Sequence, residues 1–178
     1  MPVRLESSPT SHPAQRLRRH GARQMSRLLS GLLSSLFASM VAAQLLPPTA
    51  LPQGGQVIVG SGRISQTVTP SGSQMLINQT SAKLGLDWQS FDIGSRASVE
   101  FKQPDANSIA LNRVLGNESS SIYGRLSANG QVFLTNPNGV LFAPGAKVDV
   151  GGLVASTLDL SQHDFAAGDY RFRSGGAT

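Results

Sequence analysis

Five aspartates are the side chains of this sequence best suited to acid–base chemistry. Two carboxyl groups held about 5–10 Å apart can cleave glycosidic bonds, one of them as the acid and the other as the base or nucleophile. The candidates are Asp87, Asp92, Asp105, Asp149 and Asp159. None of them belongs to an Asp-Asp or Asp-x-Asp pair. Solvated acids at strand ends are therefore the simpler interpretation, with a polysaccharide-cleaving enzyme as the alternative.

Other catalytic and ligand-binding chemistries have less support. A Ser-His-Asp triad or a histidine metal site would depend on His163, the only histidine after His20, and no Gly-x-Ser-x-Gly motif precedes it. The absence of cysteine excludes thiolate metal sites, a cysteine nucleophile and disulfide bonds. Gly60-Ser61-Gly62 lacks the spacing of a nucleotide-binding loop and is typical of a turn. We predict no enzyme activity, no metal and no cofactor.

The most distinctive motif is Asn136-Pro137-Asn138-Gly139, between the apolar runs QVFL (131–134) and VLF (140–142). Asn and Gly accept left-handed backbone conformations, and Pro fixes φ near about −65°, so the four residues predict a sharp turn. Two roles remain open for this turn. It is either a corner that the fold requires or a signal that a partner reads.

Short β-type runs, separated by Gly, Asn and Pro, fill the sequence from residue 56 onward. They are QVIV (56–59), RISQTV (63–68), QMLIN (74–78), AKLGLDW (82–88), SVEF (98–101), SIALNRV (108–114), SIYGRL (121–126), QVFL (131–134), VLF (140–142), KVDV (147–150) and LVAST (153–157). No segment there has helical periodicity over the length of an ordinary helix, so we predict an all-β domain.

The spacing of these runs favours no single all-β architecture. Val132, Val140 and Val148 recur at eight-residue intervals, which fits a parallel β-helix, but a sandwich or jelly roll fits equally well. We predict that the apolar residues of these runs form the core. They are Val132, Leu134, Val140, Phe142, Val148, Val150, Leu153 and Val154, together with Trp88, Phe91, Ile93, Val99 and Phe101.

The N-terminal region has the features of an export signal. The apolar run LLSGLLSSLFASMVAA (28–43) follows Arg23 and Arg27, is shorter than a membrane-spanning helix requires and ends in small residues. We predict a signal peptide over residues 1–43 with cleavage after Ala43, and Ala50 is a second candidate for the cleavage site. A true start at Met25 is an alternative. Residues 44–55, with three prolines, predict an extended leader.

Positive charge is concentrated in that same region. Residues 1–27 hold six arginines and one acid, whereas the remainder carries nine basic and nine acidic residues. After export no basic surface would remain for phosphates, so we expect no nucleic-acid partner. Because the apolar run 28–43 is shorter than a membrane-spanning helix requires, we also expect no stable membrane span.

The segments DWQSFDIGSRASVEFKQP (87–104) and SIALNRVLGNESSSIYGRLSANGQVFLTNPNGVLFAPGAKVDVGGLVAST (108–157), with a weaker DFAAGDYRF (164–172), resemble the N-terminal secretion domain of the filamentous haemagglutinin family. The resemblance implies a right-handed parallel β-helix with N-terminal capping strands over residues 56–178. This chain has one Asn-Pro-Asn sequence where some members have a second.

The resemblance also implies a function. Members are exported partners of two-partner secretion systems, which cross the inner membrane by the general secretory machinery. Their domain is then recognised in the periplasm by the POTRA domains of an outer-membrane β-barrel transporter, and the protein reaches the cell surface or the medium. Asn136, Pro137, Asn138 and Gly139 would belong to the secretion motif. An adhesin that binds host ligands is the alternative function.

The C-terminal end of the sequence bears on how much of a protein it represents. The chain stops at Thr178 just after a strand signal, with no polar terminal rung, whereas repeat architectures end in caps. We expect a fragment of a larger exported protein or a truncated gene.

Overall fold

The computed structural model describes residues 45–174, in which the chain coils into a right-handed parallel β-helix of about four turns. The strands are β1 (Gln56–Val59), β2 (Gly62–Thr69), β3 (Gly72–Gln79), β4 (Lys83–Trp88), β5 (Ala97–Lys102), β6 (Ile109–Val114), β7 (Ser120–Ile122), β8 (Arg125–Ala128), β9 (Gln131–Thr135), β10 (Val140–Phe142), β11 (Lys147–Asp149) and β12 (Gly152–Ser156). A short helix, α1, spans Gln162–Ala167.

Three sheets form the sides of the coil. Sheet 1 has the order β1-β4-β6-β9-β12, sheet 2 the order β11-β8-β5-β3-β2, and sheet 3 pairs β10 with β7. Strand pairs within the coil are parallel, whereas β1 and β2 pair antiparallel with β4 and β3. The predicted β-helix with N-terminal capping strands is therefore confirmed. The eight-residue spacing of Val132, Val140 and Val148 corresponds to one side of a turn, because they lie on β9, β10 and β11.

The interior of the coil is a continuous apolar core. Its largest fully buried side chains include Trp88, Phe91, Phe101, Ile77 and Leu134, and the Trp88 and Phe91 rings pack edge to face at 5.5 Å. Removing each such side chain from water contributes about 1.5–3 kcal/mol. The core predictions hold for Trp88, Phe91, Ile93, Val99, Phe101, Val132 and Leu134, which are buried. Val140, Phe142 and Val150 pack against this core but are only partly buried.

The predictions for the last turn are wrong in part. Leu153 pairs with the buried Val132 and faces the interior side, but it is 39% exposed, as is Val148. Val154 pairs with Phe133 and packs on the outside of sheet 1. Adjacent strand residues point to opposite faces, so Leu153 and Val154 cannot share one core.

Buried glutamines hold together the corner between sheets 2 and 1. The Gln103 side-chain amide donates to Gln79 Oε1 and to the carbonyls of Ser108 and Gln131, and Gln103 Oε1 accepts from the Gly130 backbone. Chain bends leave backbone groups that no strand can pair. One side chain thus satisfies groups from three successive turns.

A second buried amide, that of Asn112, lies among apolar side chains. Its Oδ1 accepts from Trp88 Nε1 at 3.0 Å, and its Nδ2 donates to the carbonyls of Ala110 and Phe133. Trp88, Asn112 and Phe133 lie on β4, β6 and β9, so this network also joins three turns.

A smaller apolar cluster covers the outside of sheet 1. Ile109, Leu111 and Phe133 face outward and are buried by Leu160 and Phe165, which follow β12. Phe165 lies on α1, a helix that the strand-based analysis missed because six residues are too few for helical periodicity. Its ends are defined by Ser161, whose Oγ accepts from Asp164 N, and by Gly168 at φ +85°.

The first turn holds α1 in place. Lys83 Nζ donates to the carbonyls of Phe165 and Ala166 at the helix end, and it lies 5.7 Å from the Tyr170 ring centroid. The segment after β12 therefore folds back across sheet 1 towards β1 and β4. We call residues 157–173 the clasp.

The structure covers only part of the predicted N-terminal features. The predicted signal peptide over residues 1–43 lies outside the described residues. From residue 45 the chain packs against the first turn of the coil, where Arg96 N donates to Pro48 O and Gln53 bridges to Ser90. It is not extended throughout, because Ala50 N donates to Pro47 O in a turn. Within residues 45–174 no helix is both long and apolar enough to cross a membrane.

The buried hydrogen bonds of Gln103 predict a large loss of stability when this side chain is removed. Replacing Gln103 with Ala leaves several buried backbone groups without partners, so we expect the free energy of unfolding to fall by roughly 3 kcal/mol. Gln74→Ala, at an exposed position of β3, is the matched control and should change it by less than about 0.5 kcal/mol. Urea titration followed by circular dichroism measures the free energy of unfolding of both variants. Equal losses would contradict the structural role of the Gln103 hydrogen bonds.

The contacts of the clasp on the outside of sheet 1 should also contribute to the free energy of unfolding. Phe165→Ala leaves a void against Ile109 and Leu111, so we expect a loss of about 3–5 kcal/mol. Leu158→Ala, 40% exposed within the same segment, is the control. Urea titration measures both variants. If Phe165→Ala is as stable as Leu158→Ala, the clasp contributes little to the stability of the fold.

Candidate functional site: the Asn-Pro-Asn-Gly corner

Asn136-Pro137-Asn138-Gly139 forms the corner between β9 of sheet 1 and β10 of sheet 3. Gly139 N donates to Asn136 O, and Asn138 N donates to Asn136 Oδ1, both at 2.9 Å. Pro137 occupies the exposed tip. Gly139 has φ +109°, a backbone conformation that disfavours side chains, although no neighbour would crowd a Cβ there. The predicted sharp turn is therefore present.

Asn136 is fully buried and joins three turns. Its Nδ2 donates to Glu118 O at 3.0 Å and to Ser120 Oγ at 2.9 Å, in the corner of the preceding turn. Its backbone N donates to Ser156 O in the following turn. Every polar group of this side chain is used inside the protein.

Asn138 lies at the surface of the same corner. Its Nδ2 donates to Gly116 O at 2.9 Å, and the residue is exposed, as is Pro137. The two asparagines therefore differ: one is an interior crosslink, and the other has a side chain that a partner can contact. Sequence reasoning did not find Gly116, Glu118 or Ser120, because their nearness depends on how the turns stack.

A carboxylate continues this stack of corners into the first turn. Asp92 Oδ1 accepts from Ser121 N at 2.8 Å, which ties the first turn to the second. Burial raises the pKa of the Asp92 carboxyl, and the hydrogen bond from Ser121 opposes that rise. Asp92 is thus a structural acceptor of the corner stack.

Of the five aspartates that the sequence offered for acid–base chemistry, the structure brings two together. Asp87 and Asp159 both approach Arg113 Nε, at 3.6 and 3.3 Å, on the outside of sheet 1. Gln162 Nε2 also donates to Asp87 Oδ2 at 2.8 Å. Burial raises the pKa of Asp87, and the Arg113 charge opposes that rise. The two carboxylates therefore meet in an ion-pair cluster around one arginine, which Gln162 of α1 also joins.

The remaining candidates lie apart. Asp105 accepts from Asn107 N and Ser108 Oγ in a turn, and Asp149 pairs with Arg125 at 2.8 Å on sheet 2. His163 is exposed on α1, 3.4 Å from Asp164. Among residues 45–174 no three histidine, aspartate or glutamate side chains are placed to hold a metal ion.

Comparison with known proteins agrees with this fold. Two proteins called heme/hemopexin-binding protein from Haemophilus influenzae are 51% identical over 112 residues and 42% identical over 121 residues. These matches cover 63% and 68% of this chain but only 12% and 13% of those proteins. The chain therefore corresponds to a small part of the curated relatives it matches.

A solved structure provides a three-dimensional comparison. The crystal structure of the HMW1 secretion domain from Haemophilus influenzae matches with a TM-score of 0.59 and 34% identity, over 65% of this chain and 30% of that one. The family model of the TPS secretion domain matches residues 44–176, which include the corner, the coil and the clasp. The chain therefore belongs to the TPS secretion domain family, the targeting modules of two-partner secretion exoproteins.

Proposed function

We propose that residues 56–178 are read in the periplasm by the POTRA domains of a cognate outer-membrane β-barrel transporter. The chain would arrive there through the general secretory machinery, with residues 1–43 as its cleaved signal and 44–55 as a leader. The observation that carries this proposal is the family match across residues 44–176, on a matching β-helix.

The architecture supports a role in folding after transport. Each strand of the coil pairs with the equivalent strand of the next turn, so most contacts form between neighbouring turns. Such a fold can grow turn by turn from a capped end as the chain leaves the transporter. Growth outside the outer membrane would oppose return of the chain, and the protein would end at the cell surface or in the medium.

The domain would act by being recognised, without catalysing a reaction. Its two neighbouring carboxylates share Arg113, and its Asn-Pro-Asn-Gly corner offers amides and backbone groups that bind rather than react. The heme/hemopexin binding named for the relatives is a property of whole proteins of which this chain covers about an eighth.

The sequence left open whether this motif is a structural corner or a signal, and its residues would differ in this respect. Asn136 is an interior crosslink, so its loss should impair folding. Asn138 is exposed, so with Pro137 it would belong to the motif that the transporter reads as the chain passes. Gly139 would favour the turn in that motif.

Secretion of variants tests this division. In a Gram-negative host that carries the cognate transporter, we expect Asn138→Ala to reduce secretion at least fivefold while the purified domain stays folded. Asn136→Ala should lower the free energy of unfolding by about 1–3 kcal/mol, because buried partners lose their hydrogen bonds. Asn117→Ala, an exposed asparagine of the preceding corner, is the matched control and should be neutral.

Quantitative blotting of medium and periplasm gives secretion, and urea titration gives stability. Equal secretion with and without the transporter would contradict the proposed function. Normal secretion of Asn138→Ala, with loss only in unfolded Asn136→Ala, would make the motif a structural corner alone.

A further inference from the structure

The sequence contains two Asn-Gly dipeptides, Asn129-Gly130 and Asn138-Gly139. In such a dipeptide the backbone nitrogen of the glycine can attack the side-chain carbon of the asparagine, because no Cβ on the glycine shields that nitrogen. The reaction is slow and needs only water, and it contributes to the thermal lability of asparagine. Both dipeptides lie between strands, one directly before β9 and the other directly before β10.

The fold restrains both residues of Asn129-Gly130. Asn129 Oδ1 accepts from Gln103 N at 2.7 Å, and Asn129 Nδ2 donates to Gln103 O at 2.8 Å. Gly130 N donates to the buried Gln103 Oε1 at 2.9 Å, and a Cβ at Gly130 would lie 2.7 Å from Ser108 O. Because Gln103 joins three turns, the Asn129 side chain can rotate towards Gly130 N only if that part of the coil opens.

The fold restrains Asn138-Gly139 much less. Asn138 is exposed, and its Nδ2 donates to Gly116 O at 2.9 Å and to Asn136 Oδ1 at 3.4 Å. Gly139 N donates to Asn136 O within the turn. Among residues 45–174, a Cβ at Gly139 would meet only Ser119 Cβ, at 3.8 Å, so the space around this glycine is open. Opening the tip therefore breaks only hydrogen bonds of the corners.

The two dipeptides differ in the free energy that is needed to release them. Exposed turns open locally at a small fraction of the free energy of global unfolding, whereas groups bonded across several turns open only with much of the fold. Asn138 can thus reach the reactive geometry by local opening. Asn129 can reach it only when the coil around Gln103 unfolds.

We propose that Asn138-Gly139 is a site of spontaneous deamidation in the folded domain, whereas Asn129-Gly130 is protected. Gly139 N attacks Asn138 Cγ, so that a bond forms between these two atoms and the Cγ–Nδ2 bond breaks. The amide proton of Gly139 leaves with the Asn138 amide group as ammonia, which yields a cyclic imide. Water then opens either carbonyl–nitrogen bond of the imide and leaves aspartate or isoaspartate at position 138.

The product changes the chemistry of the corner. A carboxylate only accepts hydrogen bonds, so the bond from Asn138 Nδ2 to Gly116 O is lost. The new negative charge joins Asp92 and Glu118 in the same stack of corners. A further consequence rests on the proposed function: conversion of Asn138 would remove an amide that the transporter reads.

Mass spectrometry of the purified domain tests the chemistry. The domain is kept in mildly alkaline buffer, and peptides that contain each dipeptide report the mass increase when NH₂ is replaced by OH. We expect Asn138 to convert at least tenfold faster than Asn129 in the folded domain. In urea that unfolds the domain, the two rates should agree within about twofold, because both dipeptides are then free. Equal rates in the folded domain, or a faster rate at Asn129, overturn the inference.

Gln103→Ala supplies a second readout in the same measurement. It removes the hydrogen bond to Gly130 N, so conversion of Asn129 should become at least tenfold faster while the rate at Asn138 stays within about twofold. If this variant fails to fold, the wild-type domain in urea below its unfolding transition replaces it. The rate at Asn129 should then rise with urea, and a rate at Asn138 that rises equally overturns the inference.

Asn138→Asp tests the consequence for secretion, because it is a uniform form of one product. In a host with the cognate transporter we expect its secretion to fall at least fivefold while circular dichroism shows a folded domain. Asn117→Asp places the same charge at an exposed asparagine of the preceding corner and is the matched control. Normal secretion of Asn138→Asp overturns the consequence. Secretion of the wild-type chain without the transporter contradicts the proposed function itself, whatever the two deamidation rates are.

Discussion

Satisfying the backbone at the buried corners is the constraint on which the rest of this β-helix depends. Strands pair with the strands above and below them, but each corner leaves donors and acceptors that no sheet can reach. Gln103 and Asn136 supply these bonds at two corners, and Asn112 makes a similar link within sheet 1; each of the three joins three turns. Because an unpartnered buried group costs about 1–3 kcal/mol, these amides also fix which corner lies on which. Register between turns follows from the corners as much as from the apolar core.

Two apolar clusters then stabilise the coil in different ways. The interior core grows with each added turn, whereas the outer cluster under Phe165 requires the finished sheet 1 and the clasp together. Lys83, on β4, holds the helix end that arrives more than eighty residues later. The coil is therefore local in its contacts, and the clasp is the long-range contact that joins its two ends. We expect the clasp to form last.

The same architecture explains how one domain can serve both folding and recognition. Groups needed for the fold point inward, as Asn136 does, while Pro137 and Asn138 at the corner tip remain exposed. The hydrogen bonds of Asn136 hold this corner in place. One short motif thus carries a residue that the fold needs beside residues that a partner can contact.

The sequence by itself determined the β-strands, the sharp turn at residues 136–139 and membership of the secretion-domain family, because these depend on local residue preferences and on a specific motif. It missed α1, because six residues are too few for helical periodicity. It also did not separate Asn136 from Asn138 or gather Asp87 and Asp159 at Arg113. Only the tertiary structure decided these, because they depend on how far one turn is displaced along the next. That displacement is set jointly by corner lengths and buried hydrogen bonds, and no short stretch of sequence encodes it.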